Sequence, residues 1–316
     1  MDHDAVKRKL EDALGEEVRQ SVPMRDYTTL RVGGVADFFY ETNQIDKLII
    51  AIDCCHKNKV PYLVIGGGSG IVFSDAGFPG LVIHNITSRI SFLTEKNQVM
   101  VDSGCTFSRV VTESASRSLS GLEWWYGIPG TIGGAVYNNS SVSNHNIDEV
   151  VKNITLILPP DDEHPAQLKQ VSVDWMNYHE HTSKLREWQQ PKPIILTVLL
   201  QLRQQRRDEI MERMQESSKK FYPYNLTDIH HSAGSFFHIA PEEDVNIANL
   251  LKDLINKKLN IGDAIVAKDH PDFIVNLGNA SASEIFQLKE LITKAIKDSG
   301  RAKIVDKVEY LGIWAK

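Results

Sequence analysis

The sequence predicts an α+β chain built in two parts. Short apolar runs such as Tyr62-Leu63-Val64-Ile65 stop abruptly at glycines, as strands entering tight loops do. Amphipathic helical runs lie between them, as at residues 45–57, where Ile45, Leu48, Ile49 and Ile52 recur at helical spacing. The last third changes character: two apolar-faced helices flank one strand, Phe273-Ile274-Val275-Asn276, which reads as a compact α+β unit of its own.

Along the chain, residues 4–19 read as a charged helix with Val6, Leu10 and Leu14 on one face. An extended stretch follows through Thr29-Leu30-Arg31-Val32-Gly33-Gly34 and Ala36–Tyr40. Strands are expected at 81–83 and 99–101, and a helix at 107–117. Further strands are expected at 150–158, 168–173 and 194–202. The charged run 204–220 reads as a connecting helix with a solvated face. Helices follow at 243–257 and 283–298, the second opened by the capping-box pattern Ser281-Ala282-Ser283-Glu284. The chain closes on a strand at 304–311. The expected divisions are an N-terminal helix in 1–22, a first domain in 23–203, the connector in 204–229 and a second domain in 230–316.

A net charge of -6 over 316 residues argues against a general nucleic-acid binder, which needs an excess of Lys and Arg to neutralise phosphates. No apolar run approaches the roughly 20 residues that span a bilayer, and the acidic start Met1-Asp2-His3-Asp4 is unlike a signal peptide. Three cysteines, Cys54, Cys55 and Cys105, fit a reducing cytoplasm rather than a disulfide framework. No Cys-x-x-Cys pair supports a zinc site. His230-His231 with His238, and His179 with His181, have no Cys or spaced carboxylate beside them, so no metal is expected. The sequence leaves the oligomeric state open.

The sharpest local feature is Ile65-Gly66-Gly67-Gly68-Ser69-Gly70. Without Cβ atoms the backbone can approach a ligand, and successive N–H groups can nest an anion such as pyrophosphate. A plain tight turn is the other reading. No Lys follows for a phosphate-binding P-loop, and Ile71 stands where a dinucleotide fingerprint starting at Gly66 needs its third glycine. A second glycine-rich run is Gly127-Ile128-Pro129-Gly130-Thr131-Ile132-Gly133-Gly134-Ala135, preceded by Trp124-Trp125-Tyr126. Two such loops ~60 residues apart suggest one extended dinucleotide gripped twice.

In order, Thr29–Gly34, Gly66-Gly67-Gly68-Ser69, Gly127–Ala135, Ser232-Ala233-Gly234-Ser235-Phe236-Phe237, and His270 before Phe273–Asn276 together resemble the UDP-N-acetylenolpyruvoylglucosamine reductase family, in its shorter form. The resemblance runs from about residue 20 to the C-terminus. It implies an FAD-binding domain of the vanillyl-alcohol-oxidase-like (PCMH) class and a C-terminal α+β substrate-binding domain. It implies FAD as cofactor, NADPH as reductant and a UDP-sugar as substrate, reduced to UDP-N-acetylmuramate for peptidoglycan synthesis. It assigns FAD to Ile65, Gly66, Gly67, Gly68, Ser69 and Gly70, and to Gly127, Ile128, Pro129, Gly130, Thr131, Gly133, Gly134 and Ala135. It assigns substrate contacts to Tyr178, His238 and His270.

The resemblance also assigns proton donation to Ser235. Two other positions depart from the family pattern. His179 stands where the family has Arg, and its charge is conditional near neutral pH. Lys307 stands where the family has Glu, and Glu309 where it has Arg. Positions 307 and 309 would share a face of one strand. Gly70, Tyr137-Asn138-Asn139-Ser140-Ser141, His238 and Asp269 are smaller departures. His179 and Lys307 are then positive groups beside the developing enolate, with Arg186 and Glu309 as candidate substitutes. A flavoenzyme with another substrate, and a non-catalytic nucleotide-binding relative, are the alternative readings.

Overall fold

The computed structural model describes residues 2–142, 144–159, 166–179, 182–221, 231–241, 259–267, 270, 272–299 and 302–314. The helix expected at 243–257 lies outside the described residues, as do His181, His230 and Asp269. The chain divides into two compact units, one of residues 1–20, 38–67 and 80–224, the other of 21–37, 68–79 and 225–316.

Two sheets organise the first unit. One has the strand order Arg19–Pro23, Val35–Thr42, Phe78–Asn85, Tyr62–Ile65. Its last two strands run parallel, with Tyr62 opposite Leu81 and Ile65 opposite His84. The other orders Gln167–Ser172, Val151–Leu158, Ile194–Gln201, Gln98–Asp102 and Ile90–Leu93, antiparallel throughout. Its central strands are apolar on both faces because both faces are covered. Ile154 and Leu156 enter one core with Phe107, Val111, Trp125 and Val198. Ile157 and Leu196 turn to the other core, against Leu10, Leu14, Leu48 and Ile52 of the helices His3–Leu14 and Ile45–Lys57. Each fully buried Leu or Ile contributes about 1.5–3 kcal/mol.

The first helix is shorter than its expected span. Asp2 caps its start by accepting from the Ala5 N–H at 3.1 Å, and the chain leaves the helix at Gly15, whose N–H donates to the Glu11 carbonyl at 2.7 Å. The helix Arg207–Phe221, read as a solvated connector, instead buries Ile210, Met214 and Ser217 within the first unit.

In the second unit an antiparallel sheet orders Ser232–Ser235, Phe273–Asn276, Ala264–Val266 and Asn260–Ile261. The helix Ala282–Ser299 packs Ile285, Leu288, Ile292 and Ile296 against Phe236, Ile274, Val308, Leu30 and Val72. Its capping box forms as expected: Ser281 Oγ accepts from the Glu284 N–H at 3.1 Å, and the Glu284 carboxylate accepts from the Ser281 N–H at 2.9 Å. The Asp75 carboxylate adds a second cap, accepting from the N–H groups of Ala282 and Ser283, both at 2.8 Å.

The single closing strand expected at 304–311 is two strands. Ala302–Asp306 pairs antiparallel with Phe237–Pro241, whereas Glu309–Leu311 pairs parallel with Ile71–Phe73. Lys307 and Val308 lie in the break between them, so Lys307 and Glu309 do not share one strand face. The switch of pairing partner, a non-local event, produces the break.

Candidate active site

The strand Tyr62–Ile65 delivers the first glycine loop against the second. A Cβ on Gly66 would stand 2.5 Å from Thr131 Oγ1, and one on Gly67 would stand 3.0 Å from Gly130 Cα. Only glycine permits this approach. Among the described residues neither the Gly67 N–H nor the Gly130 N–H meets an acceptor. Two free backbone donors at a junction cleared of side chains fit a dinucleotide pyrophosphate.

The second loop rests on a turn that sequence reading missed. The Ile132 N–H donates to the Cys105 carbonyl at 3.0 Å, the Gly133 N–H to the Ser103 carbonyl at 2.8 Å, and the Phe107 N–H to the Gly130 carbonyl at 3.0 Å. Thr131 caps the helix Ile132–Tyr137, its Oγ1 accepting from the Gly134 N–H at 3.3 Å. The signal was present as Asp102-Ser103-Gly104, turn residues directly after a strand. Of the aromatic cluster before this loop, Trp125 is core, its ring 5.6 Å from Phe107, while Trp124 stacks on His145 at 4.4 Å.

Tyr178 and residues 183–192 are strapped to the end of the helix Ile132–Tyr137. Tyr178 Oη donates to the Val136 carbonyl at 2.8 Å, and Ser183 Oγ to the Tyr137 carbonyl at 2.6 Å. Lys192 Nζ donates to Tyr137 Oη at 2.6 Å and to the Arg186 carbonyl at 2.8 Å. Burial pushes the Tyr178 phenol well above its usual range. His179 is exposed on this strap. Its Nδ1 donates to the Asn177 carbonyl at 2.9 Å, and its Nε2 lies 3.2 Å from Glu187 Oε1.

In the second unit the rest of the first loop is knitted to the Ser235 segment. Gly68 adopts φ +64, and any Cβ there would overlap the Tyr27 carbonyl. The Thr29 N–H donates to the Gly68 carbonyl at 3.1 Å, while Thr29 Oγ1 donates to the Ser232 carbonyl at 2.6 Å. Thr29 was legible only as part of a motif; its bridging role was not. The Glu309 N–H donates to the Gly70 carbonyl at 2.9 Å.

Ser235 lies opposite Phe273, and its Oγ donates to the Phe237 carbonyl at 2.8 Å. The neighbouring Phe236 joins two strands: its N–H donates to the Asp272 carbonyl at 2.8 Å, and its carbonyl accepts from the Lys307 N–H at 2.9 Å. Burial lowers the Lys307 ammonium pKa, and the Asp272 charge opposes that shift. Asp272 is a site neighbour that sequence reading missed. His270 packs its ring 5.2 Å from Phe273, with a buried Nε2 that has no hydrogen-bond partner among the described residues. His238 is fixed by its backbone opposite Val305.

Comparison with known proteins matches both parts of the chain. Residues 36–164 match an FAD binding domain, and residues 223–311 match the UDP-N-acetylenolpyruvoylglucosamine reductase C-terminal domain. The chain is 30% identical to the UDP-N-acetylenolpyruvoylglucosamine reductase of Clostridium novyi, over 97% of this chain and 96% of the relative. It is 32% identical to that of Chlamydia muridarum, over 90% of this chain and 92% of the relative. The crystal structure of the reductase from Thermus caldophilus superposes with a TM-score of 0.73 at 27% identity, covering 93% of this chain and 98% of that one. Among the described residues no helix is long and apolar enough to cross a membrane.

Proposed function

The chain belongs to the UDP-N-acetylenolpyruvoylglucosamine reductase family, and we propose that it performs that reaction with FAD and NADPH through its own altered set of site residues. The substrate is the enolpyruvyl UDP-sugar, and the product is UDP-N-acetylmuramate, a peptidoglycan precursor. The observation that carries this reading is the glycine cradle, in which Gly66 and Gly67 abut Thr131 and Gly130 with free N–H donors. The residues of the two glycine loops would hold FAD, which would supply hydride chemistry between NADPH and the vinyl carbon of the substrate.

The chain's own groups then have three tasks. The backbone of 65–70 and 127–135 binds and orients the dinucleotide. Ser235 gives a proton to the carbon next to the one that receives hydride; its hydroxyl must first turn away from the Phe237 carbonyl. Lys307, and His179 on its strap, supply positive charge for the enolate that develops beside the substrate carboxylate. Tyr178, His238 and His270 contact the substrate. In this reading residues 23–203 carry the cofactor and 230–316 the UDP-sugar. The chain works in the cytoplasm, in keeping with three free, buried cysteines.

A flavoenzyme with a different substrate is the second reading, favoured by one observation: a half-buried lysine with a lowered pKa stands at 307, where the resemblance leads one to expect an acid. Anaerobic spectroscopy separates the two. Bleaching of bound flavin by NADPH, then rapid return of colour on adding the enolpyruvyl UDP-sugar, is the expected result. Bleaching without return selects the second reading. A chain that takes up no flavin defeats both.

A further inference from the structure

A buried acid and its arginine stand directly behind the second glycine loop, and neither has a task in the reaction as derived. Glu123 opens the turn Glu123–Trp125 with its side chain only 2% exposed. Its carboxylate accepts from Arg213 Nε at 2.8 Å, from Ser120 Oγ at 2.8 Å and from the Gly121 N–H at 2.6 Å. Arg213 belongs to the helix Arg207–Phe221 and also donates to Gln205 Oε1 at 2.8 Å. One turn further along the same helix, Ser217 Oγ donates to the Trp124 carbonyl at 2.5 Å. Two side chains on one helical face therefore grip consecutive residues of the turn.

From that turn the hold passes straight into the loop. The Tyr126 N–H donates to the Glu123 carbonyl at 3.2 Å, and the Ile128 N–H to the Trp125 carbonyl at 3.1 Å. Gly127–Gly130 begins there. A buried ion pair is a weak source of stability, because desolvating both charges offsets most of their attraction; apolar replacements are often as stable or more so. Its presence here is better explained by direction than by strength. The carboxylate collects donors from the helix Arg207–Phe221 and from Ser120 and Gly121 just ahead of the turn, which fixes where the turn points.

We propose that Glu123 and Arg213 are positioning residues for the cofactor, holding Gly127–Gly130 in the one conformation that accepts the dinucleotide. This rests on the FAD reading above. The pair touches neither cofactor nor substrate; it acts through the loop.

The test is FAD affinity set beside stability. The double variant Glu123→Leu/Arg213→Met removes both charges and every bond from the carboxylate while filling the space. Flavin fluorescence titration of the apoprotein gives Kd, and a thermal melt of the same sample gives Tm. The expected result is a Tm at or above that of the unaltered chain, with Kd raised at least about tenfold. A purely structural pair would move Tm and leave Kd alone. Should the double variant not fold, Arg213→Lys keeps the charge but loses the two-pronged hold, and its Kd is expected to rise about threefold or more. Kd within about twofold of the unaltered chain in the folded variant overturns the proposal. If the unaltered chain takes up no flavin, the FAD reading falls and the proposal with it; uptake that the variants do not change overturns the positioning role alone.

Discussion

The Glu309 N–H donates to the Gly70 carbonyl at 2.9 Å. That bond starts a parallel register in which Glu309, Tyr310 and Leu311 face Ile71, Val72 and Phe73. The end of the chain is thus sewn to the end of the first glycine loop. Lys307, two residues earlier, is bonded through its backbone to Phe236, the neighbour of Ser235. The loop, Ser235 as the proposed proton donor, and Lys307 belong to one backbone network, so a change at any of them should be read in the flavin's two half-reactions.

Gly67→Ala tests the cradle. The new Cβ would stand 3.0 Å from Gly130 Cα, which is backbone and cannot swing aside. The loops must part by a few tenths of an ångström, and the paired donors part with them. FAD Kd should rise about tenfold or more with little loss of stability, because Gly67 is exposed. Fluorescence titration of the apoprotein checks this; an unchanged Kd would remove the cradle from the argument.

Ser235→Ala tests the proton. Positioned proton transfer is worth about 10²–10⁴ in rate. Reoxidation of reduced flavin by the UDP-sugar should slow by about that factor, while reduction by NADPH keeps its rate. Stopped-flow absorbance separates the two half-reactions. Equal slowing of both would mean that the serine shapes the site instead of feeding it a proton.

How legible this was depended on range. The strand Tyr62–Ile65 and the helix Ile45–Lys57 fall where the sequence pattern places them, because periodicity and the glycine stop are local signals. The closing strand was misread because its break at Lys307 comes from a change of pairing partner, which no local pattern records. The glycine loops were legible by residue type. Their neighbours Ser103 and Cys105 were not, because both act through main-chain carbonyls that any residue could offer. Glu123 was passed over within a Trp-rich stretch because its partner Arg213 lies far along the chain, in a helix read as solvated.

Thr29→Val tests the bridge between the first loop and the Ser235 strand. The hydroxyl donates to the Ser232 carbonyl at 2.6 Å, and valine keeps the shape without the donor. A carbonyl left without its partner costs about 1–3 kcal/mol. A loss of that size in urea unfolding is the expected outcome, and a variant as stable as the unaltered chain would show that water replaces the bond.

Lys307→Met tests the cost of the half-buried charge. Burial lowers the ammonium's folded pKa, with Asp272 opposing. The unfolded chain keeps its proton up to about pH 10.4. Between the folded pKa and that value the unfolded state binds more protons, so stability climbs with pH. The penalty is complete below the folded pKa and gone above the unfolded one. The methionine variant should be more stable near neutral pH and lose this climb. Urea midpoints from neutral to alkaline pH check both; a climb that survives the substitution would assign it to another group.

The double variant His179→Arg/Lys307→Glu asks whether the altered charges limit the rate. Arginine at 179 restores a permanent charge with a planar fork suited to a carboxylate, which the exposed histidine on Glu187 offers only in one protonation state. Glutamate at 307 returns an acid to a position whose N–H bonds the Phe236 carbonyl, next to Ser235 in the chain, although Asp272 will raise its pKa by repulsion. Turnover should rise about tenfold, and the rise should fall on reoxidation by the UDP-sugar, since the proposed reading gives neither charge a part in reduction by NADPH. Single variants measured alongside reveal whether the two positions act together. A clear fall in turnover would mean that His179 and Lys307 have become a working set of their own, and that the roles carried over from the family do not apply at these two positions.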